Sequence, residues 1–437
     1  LAEKVKIIGG GLAGVEAAWQ LANRGFEVEL FEMKPVKFSP AHKSELLGEL
    51  VCSNSLKAKR FESAAGLLKT EMRFFGSLCM ECADLSQVPA GGALAVDRDK
   101  FSQLITEKIK AHKNITLIHK EVTEIPDGNV IIAAGPLASD ALSEKISELC
   151  GDGLHFFDAA APIVSRESID MESAFTASRY ERGGEDDYIN CPMNKAEYEA
   201  FYEALVTAEG AEVHSFDKRK DVYEGCMPIE VMASRGKDTM RFGPMKPVGL
   251  VDPRTGHRPW AVLQLRKENS KGTMLNLVGF QTNLKFGEQK RVFSMIPALK
   301  NAEFYRYGVM HRNTFIDSPR LLNPTFSLRK RENLFFAGQI TGVEGYMESA
   351  SSGILAGINM ARLLQKKQQL VLPETTMMGA LSRYISDETV KNFQPMGANF
   401  GVLPPIEPKI RDKSERYMAL SQRAAEDLKK YTEGMGI

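Results

Sequence analysis

Residues 4–32 limit what this chain can fold into more than any other stretch. Residues 4–8 (KVKII) read as a short buried strand. Gly9-Gly10-Gly11-Leu12-Ala13-Gly14 follows with G-x-G-x-x-G spacing. Residues 15–24 read as a helix stopped by Gly25, and residues 27–31 (EVELF) as a second strand ending at Glu32. This is the opening of a βαβ unit. Gly9 permits the tight turn, Gly11 lets a pyrophosphate approach bare backbone, and Gly14 lets helix and strand pack closely. The helix start offers N–H groups to the same pyrophosphate. We therefore expect Gly9, Gly10, Gly11, Leu12, Ala13 and Gly14 to hold a dinucleotide, with Glu32 accepting from its adenosine ribose hydroxyls. The alternative is a structural strand–turn–helix that binds nothing. The motif alone does not separate FAD from NAD.

A chain of 437 residues leads us to expect about two to three domains. Apolar residues make up 43% and charged residues 26%, an ordinary soluble balance. Lys plus Arg and Asp plus Glu each number 56, so a nucleic-acid partner must meet a local basic patch, not a global field. No run approaches the ~18 apolar residues of a membrane span. The first residues enter the nucleotide strand directly, without a leader. A cytoplasmic protein with no membrane partner is expected. The cysteines are Cys52, Cys79, Cys82, Cys150, Cys191 and Cys226. In that compartment they are expected reduced, most of them as small buried hydrophobes. Cys79 and Cys82 form a single C-x-x-C without a second pair or nearby histidines, so no metal is expected. Two packed thiols on a helix is the plain reading, a thioredoxin-like pair the alternative.

Further along, a helix is expected from near Leu56 towards Cys82, and another, opened by Asp97, up to residue 111. Residues 116–121 and 122–125 suggest a strand pair. Residues 130–134 (VIIAA) read as a buried strand closing on Gly135-Pro136. After a polar stretch near residue 182, one helix and many turns read as a mixed antiparallel unit. The first theme then returns. Residues 333–337 (NLFFA) read as a strand and residues 338–346 as a second glycine-rich turn. Residues 347–364 form a helix of small residues. A second strand–turn–helix unit suits a domain that grips both ends of a long cofactor, which favours FAD. The fold class expected is α/β: an FAD-binding, Rossmann-type doubly wound domain with an inserted α+β domain. Its parts are 1–185 and 305–437, the latter ending in a C-terminal helix, with 186–304 inserted. Gly338, Gln339 and Gly342 are expected at the flavin end. Val122 and Gly135 are added by analogy with other flavin domains. Tyr346 either stands where a pterin could stack beside the flavin or is a core aromatic at the helix start.

Three motifs in this order carry a resemblance: residues 7–14 (IIGGGLAG), 50–56 (LVCSNSL) and 338–349 (GQITGVEGYMES), supported by 223–228 (YEGCMP). The chain resembles the folate- and FAD-dependent tRNA uracil-5-methyltransferase family (TrmFO, formerly Gid) along essentially its whole length. The wobble-uridine flavoprotein GidA shares the C-terminal glycine turn but is expected to be longer, with an extra helical domain. The resemblance implies formation of 5-methyluridine at position 54 of the tRNA T-loop. It implies 5,10-methylenetetrahydrofolate as carbon donor, reduced FAD as hydride source, and NADPH or NADH to re-reduce the flavin.

Uracil C5 is a poor nucleophile. A thiolate added to C6 places enolate charge at C5, which then attacks the folate methylene. A base removes the C5 proton, tetrahydrofolate leaves, and hydride completes the methyl group as the thiolate departs. The resemblance points to Cys226 as nucleophile and Cys52 as base or flavin-pocket group, with the reverse order open. A free thiol has a pKa of about 8.5, so Cys226 needs help from positive charge, and Lys218-Arg219-Lys220 lie just upstream. For the tRNA T-arm, the candidates are the basic runs 57–60, 218–220, 285–291, 306–312 and 329–331, several interleaved with Phe or Tyr as in residues 304–307 (FYRY), though a charge run is usually a solvated face. The target uridine must be extruded from its loop before a thiolate reaches C6. Alternatives are the same chemistry on a ribosomal RNA uridine, a GidA-like tRNA-modification flavoprotein or scaffold, and a flavin reductase without methyl transfer.

Overall fold

The structure is a computed structural model describing residues 4–150, 154–159, 161–181, 184, 187–211, 227–267, 272, 274–308, 310–390, 393, 395–408 and 410–436. The stretch 218–226, with its basic run and Cys226, lies outside the described residues.

Strand Val5–Ile8 lies inside a six-stranded sheet. It pairs in parallel with Val28–Glu32 on one side and Asn129–Ile132 on the other. Ile115–His119 extends the first side and Arg331–Phe336 the second, both parallel. A short antiparallel edge, Ser327–Leu328, closes the row. Val5, Ile7, Val130, Ile131, Ile132, Leu334, Phe335 and Phe336 are completely buried. Such unbroken apolar runs belong to a parallel sheet covered on both faces. Each large side chain buried there contributes roughly 1.5–3 kcal/mol.

Helix Leu12–Asn23 packs on helix Tyr346–Leu364 across this sheet. The small residues make the approach possible. A Cβ on Gly353 would stand 2.1 Å from the Ala13 carbonyl oxygen, and one on Gly357 2.8 Å from that of Ala17. The second strand–turn–helix unit thus docks on the first.

A second six-stranded sheet is wholly antiparallel, in the order 175–176, 188–193, 261–267, 274–277, 163–165, 304–306. Its strands begin at Ile163, upstream of residue 186. Helix Lys195–Val206 covers it, opened by a reciprocal capping box between Asn194 and Glu197. Tyr198, Phe201, Phe280 and Phe293 fill that core.

Two local expectations fail. Ser55–Ala58 is a strand paired with Ala93–Val96, not the start of a helix. Two helices follow, Ala64–Phe74 and Leu78–Leu85, capped by the Ser63 and Ser77 side chains. Gly76, at φ +67°, breaks the run between them. Only Ile115–His119 is a strand in the second region. Residues 122–125 form no strand, and 115–119 stands as the open edge of the sheet.

Glu71 is buried and accepts from the backbone N–H groups of Met377 and Met378, both at 2.7 Å, at the start of helix Met377–Tyr384. Burial, opposed by those two bonds, pushes its pKa up to about 8. Between about pH 4.5 and 8 the folded chain holds a proton that the unfolded chain has lost. Stability from this group is therefore present in acid and lost as pH rises. We expect Glu71→Gln to show a shallower fall in urea midpoint between pH 5 and 8 than the parent chain.

Candidate functional site

In an open parallel sheet, ligands sit beyond the carboxyl ends of the strands where the strand order reverses. Here that point lies between Val5–Ile8 and Asn129–Ile132, whose onward connections lead to opposite sides. A cleft of about 1060 Å³ opens there. Gly9, Gly10, Gly11, Leu12 and Ala13 form one wall, Glu32 and Val122 another, Gly135 a third, and Gly338, Gln339 and Tyr346 the far end.

The glycine turn is held from several sides. Gly9 has φ +106°, and a Cβ there would lie 2.4 Å from the Ala133 carbonyl oxygen. The Gly10 N–H donates to the Glu32 carboxylate at 2.9 Å, and the Lys34 N–H to its other oxygen at 3.0 Å. Gly14 serves packing and does not line the cleft. Its Cβ would fall 1.8 Å from the Gly9 carbonyl oxygen. Gly342 also lies off the cleft, where a Cβ would strike the Phe393 ring at 2.4 Å.

Gly11 differs from these. Nothing stands within 4 Å of its Cβ position, and the same is true of Gly135. Helices Leu12–Asn23 and Tyr346–Leu364 begin at the cleft with glycine caps and no side-chain capping bond. Bare backbone and two helix starts facing one cleft fit a long anionic cofactor. Lys34, His42, Glu49, Lys120 and Ser139 also line it. No motif marked them. Lys34 is buried, and its ammonium meets Glu49 at 3.2 Å and the Leu46 carbonyl at 2.7 Å.

At the far end the loop carrying Cys52 closes on Tyr346. The Tyr346 oxygen accepts the N–H of Cys52 at 2.8 Å and of Ser53 at 3.3 Å, and lies 3.0 Å from the Cys52 sulfur. Two incoming N–H donors occupy the oxygen lone pairs, so its own O–H points to sulfur. Burial, and then the neighbouring Cys52, push the Tyr346 pKa well above its ordinary value, so this O–H keeps its proton. A hydrogen bond donated to sulfur favours thiolate over thiol.

The loop is also fastened to the second sheet. Arg266, on strand Ala261–Lys267, donates to the Asn54 side-chain oxygen at 3.0 Å and to Ser53 Oγ at 2.8 Å. The Asn54 amide donates to the carbonyls of Val96 and Lys267, at 3.1 and 2.7 Å. Asn54 is fully buried. We expect Asn54→Ala to cost on the order of 3 kcal/mol in urea unfolding, since it strips partners from several buried groups.

The C-x-x-C pair is a different matter. Cys79 and Cys82 are fully buried on helix Leu78–Leu85. Burial pushes Cys82 to about 12 and Cys79 well above its ordinary value. Such thiols are packing groups. Among the described residues no cluster of three His, Cys, Asp or Glu could hold a metal ion, and no helix is long and apolar enough to cross a membrane.

Comparison with known proteins follows the same lines. The family described as glucose inhibited division protein A matches residues 4–368. The methylenetetrahydrofolate--tRNA-(uracil-5-)-methyltransferase TrmFO of Acetivibrio thermocellus is 62% identical, with 98% of each chain covered. The TrmFO of Enterococcus faecalis is 58% identical, with 97% of each covered. Among solved structures, Aquifex aeolicus GidA superposes with a TM-score of 0.70 at 16% identity, covering 99% of this chain and 75% of that one. At that identity the likeness speaks for the fold alone. With such identity across nearly its whole length, this chain belongs to the TrmFO family, within the wider GidA family.

Proposed function

We propose that this protein methylates C5 of a tRNA uridine, position 54 of the T-loop, with 5,10-methylenetetrahydrofolate as carbon donor and FAD bound in the glycine-walled cleft. The observation that carries the reading is the placing of Cys52. Its sulfur sits beside a buried tyrosine hydroxyl that lies at the cleft's far end, in a chain 62% identical to a named methyltransferase of this kind. Bound there, FAD supplies the hydride that completes the methyl group, and NADPH or NADH restores it.

The chain's own groups do the rest. Gly11, Leu12 and Ala13 offer backbone N–H groups to the pyrophosphate, and Glu32 keeps acceptor capacity for ribose hydroxyls. Gly338 and Gln339 border the flavin end. Cys52, its thiolate favoured by the Tyr346 O–H, takes the C5 proton. Cys226 adds to C6 and is expelled at the end. The parallel sheet carries the cofactor.

The test is direct. Purified protein is incubated with methylenetetrahydrofolate, NAD(P)H and unmodified tRNA, and the digested RNA is assayed for 5-methyluridine. Methyluridine at position 54 is expected. Flavin reduction without any methyluridine would overturn the proposal in favour of a reductase, and modification of ribosomal RNA alone would move the target.

A further inference from the structure

Phe286, Tyr307 and Phe304 form a column of nearly parallel rings. Phe286 and Tyr307 have centroids 4.9 Å apart at 14°, and Tyr307 and Phe304 5.1 Å apart at 8°. Phe304 opens the edge strand of the antiparallel sheet, and Phe286 opens helix Phe286–Phe293. A stack of aromatics within a core hides its end rings. This one leaves its outer ring, Phe286, 56% exposed.

Charge beside the column is asymmetric. Lys285 is paired with Glu209, Arg291 with Glu288, and Lys300 with Asp170. Lys290 is exposed and makes no ion pair among the described residues. It lies one helical turn after Phe286, on the same face. Lys290, Asn301, Phe304 and Tyr307 share a solvent-open hollow of about 830 Å³. A flat π face with an uncommitted cation and polar groups beside it matches an unpaired base and its phosphate. A protein partner would call for a continuous apolar patch, whereas Phe286 is flanked in sequence by Lys285, Glu288 and Lys290.

The column also stands beside the anchors of the Cys226 segment. The strip 281–285 runs directly into Phe286. The Ala211 N–H donates to the Asn283 carbonyl at 2.7 Å, and the Ile229 N–H to that of Gln281 at 2.7 Å. The Glu230 carboxylate accepts from the Asn283 N–H at 2.7 Å and from Thr282 Oγ1 at 2.8 Å. Both described flanks of residues 212–226 are therefore fastened to the strip that ends in the column.

We propose that the Phe286–Tyr307–Phe304 column is a stacking platform for an unpaired nucleotide of the substrate RNA, with Lys290 on its phosphate. This rests on the reading that the substrate is RNA. Stacking suits a loop from which a uridine has been extruded, because a displaced neighbour base regains a π partner.

The experiment measures binding of unmodified tRNA transcript to the full chain by filter retention over a range of salt. Phe286→Ala is expected to weaken binding roughly 5- to 150-fold, the range for one lost base stack. Phe286→Leu should behave like the alanine variant, since it keeps apolar bulk without a π face, and Phe286→Trp should bind like the parent. Lys290→Ala should lower the slope of log affinity against log salt by about one, and Phe286→Ala should leave that slope alone. Thermal unfolding of each variant reports folding separately. Equal binding by Phe286→Ala and the parent, or full binding by Phe286→Leu, would overturn the platform while leaving the methyltransferase proposal standing. No tRNA binding by the parent chain would instead overturn the RNA reading itself.

Discussion

Gly14→Ala is expected to destabilise the chain by about 2–3 kcal/mol and to strip it of flavin, while Gly11→Ala folds normally and loses only cofactor affinity. Both glycines belong to one motif, yet they meet different surroundings. The added methyl at position 14 falls 1.8 Å from the Gly9 carbonyl oxygen and 3.0 Å from the Gly9 carbonyl carbon. Those are backbone atoms of a turn whose Gly9 is itself pressed on Ala133, so nothing there can rotate away. The helix must shift off the strand, and overpacking of this sort costs about 1–3 kcal/mol or more. Its first N–H groups move with it, so the pyrophosphate loses its cradle. At position 11 the methyl meets no protein atom within 4 Å and projects into space a ligand would fill. Urea unfolding and flavin absorbance per chain check both variants. Gly11→Ala should stay within about 0.5 kcal/mol of the parent and bind FAD at least about tenfold more weakly, a loss of roughly 1.4 kcal/mol. A Gly14→Ala chain as stable and as yellow as the parent would mean that the close contact does not exist.

Cys52→Ala is expected to lower methyl transfer by about 10²–10⁴-fold, the usual worth of a positioned proton acceptor, with FAD still bound. Tyr346→Phe should lower it about 10–100-fold, since a hydrogen bond to an ionised group is worth roughly 1.5–3 kcal/mol. That variant also leaves the N–H groups of Cys52 and Ser53 without the oxygen they share. Single-turnover assays at saturating tRNA read the step. Cys79→Ala is the contrast. Its thiol is buried and points towards the Leu12 carbonyl, so its loss should appear in stability and not in turnover. The two proposed thiols separate on RNA carrying 5-fluorouridine. Cys226→Ala should abolish the covalent adduct and Cys52→Ala should retain it. The opposite pattern would exchange their roles.

The nucleotide half of this molecule was legible because close packing leaves few choices of residue. Gly9 and Gly14 in the first turn, and Gly353 and Gly357 at the helix contact, admit nothing larger than glycine, and their spacing exposes them. Gly14 and Gly342 show the limit of such reading. A motif says where glycine is required, not whether a ligand or a neighbouring side chain requires it. Local pattern failed after Cys52. The strand Ser55–Ala58 contains Lys57 at φ +64°, a conformation no propensity forecasts for lysine. The Cys52–Tyr346 contact joins residues 294 apart, and the Arg266–Asn54 clamp residues 212 apart. The first pair arises where a loop closes on a distant helix start, the second where that loop meets the antiparallel sheet, and no window along the chain contains both partners of either.

The central claim concerns where one carbon comes from and where it goes. The measurement is a reaction of the purified protein with NAD(P)H, unmodified tRNA and methylenetetrahydrofolate labelled at its methylene carbon, with unlabelled S-adenosylmethionine present, followed by nucleoside analysis. The account predicts label in the methyl group of 5-methyluridine at position 54, dependent on bound FAD. Methyluridine without label, or labelled product formed equally well by flavin-free protein, would contradict it.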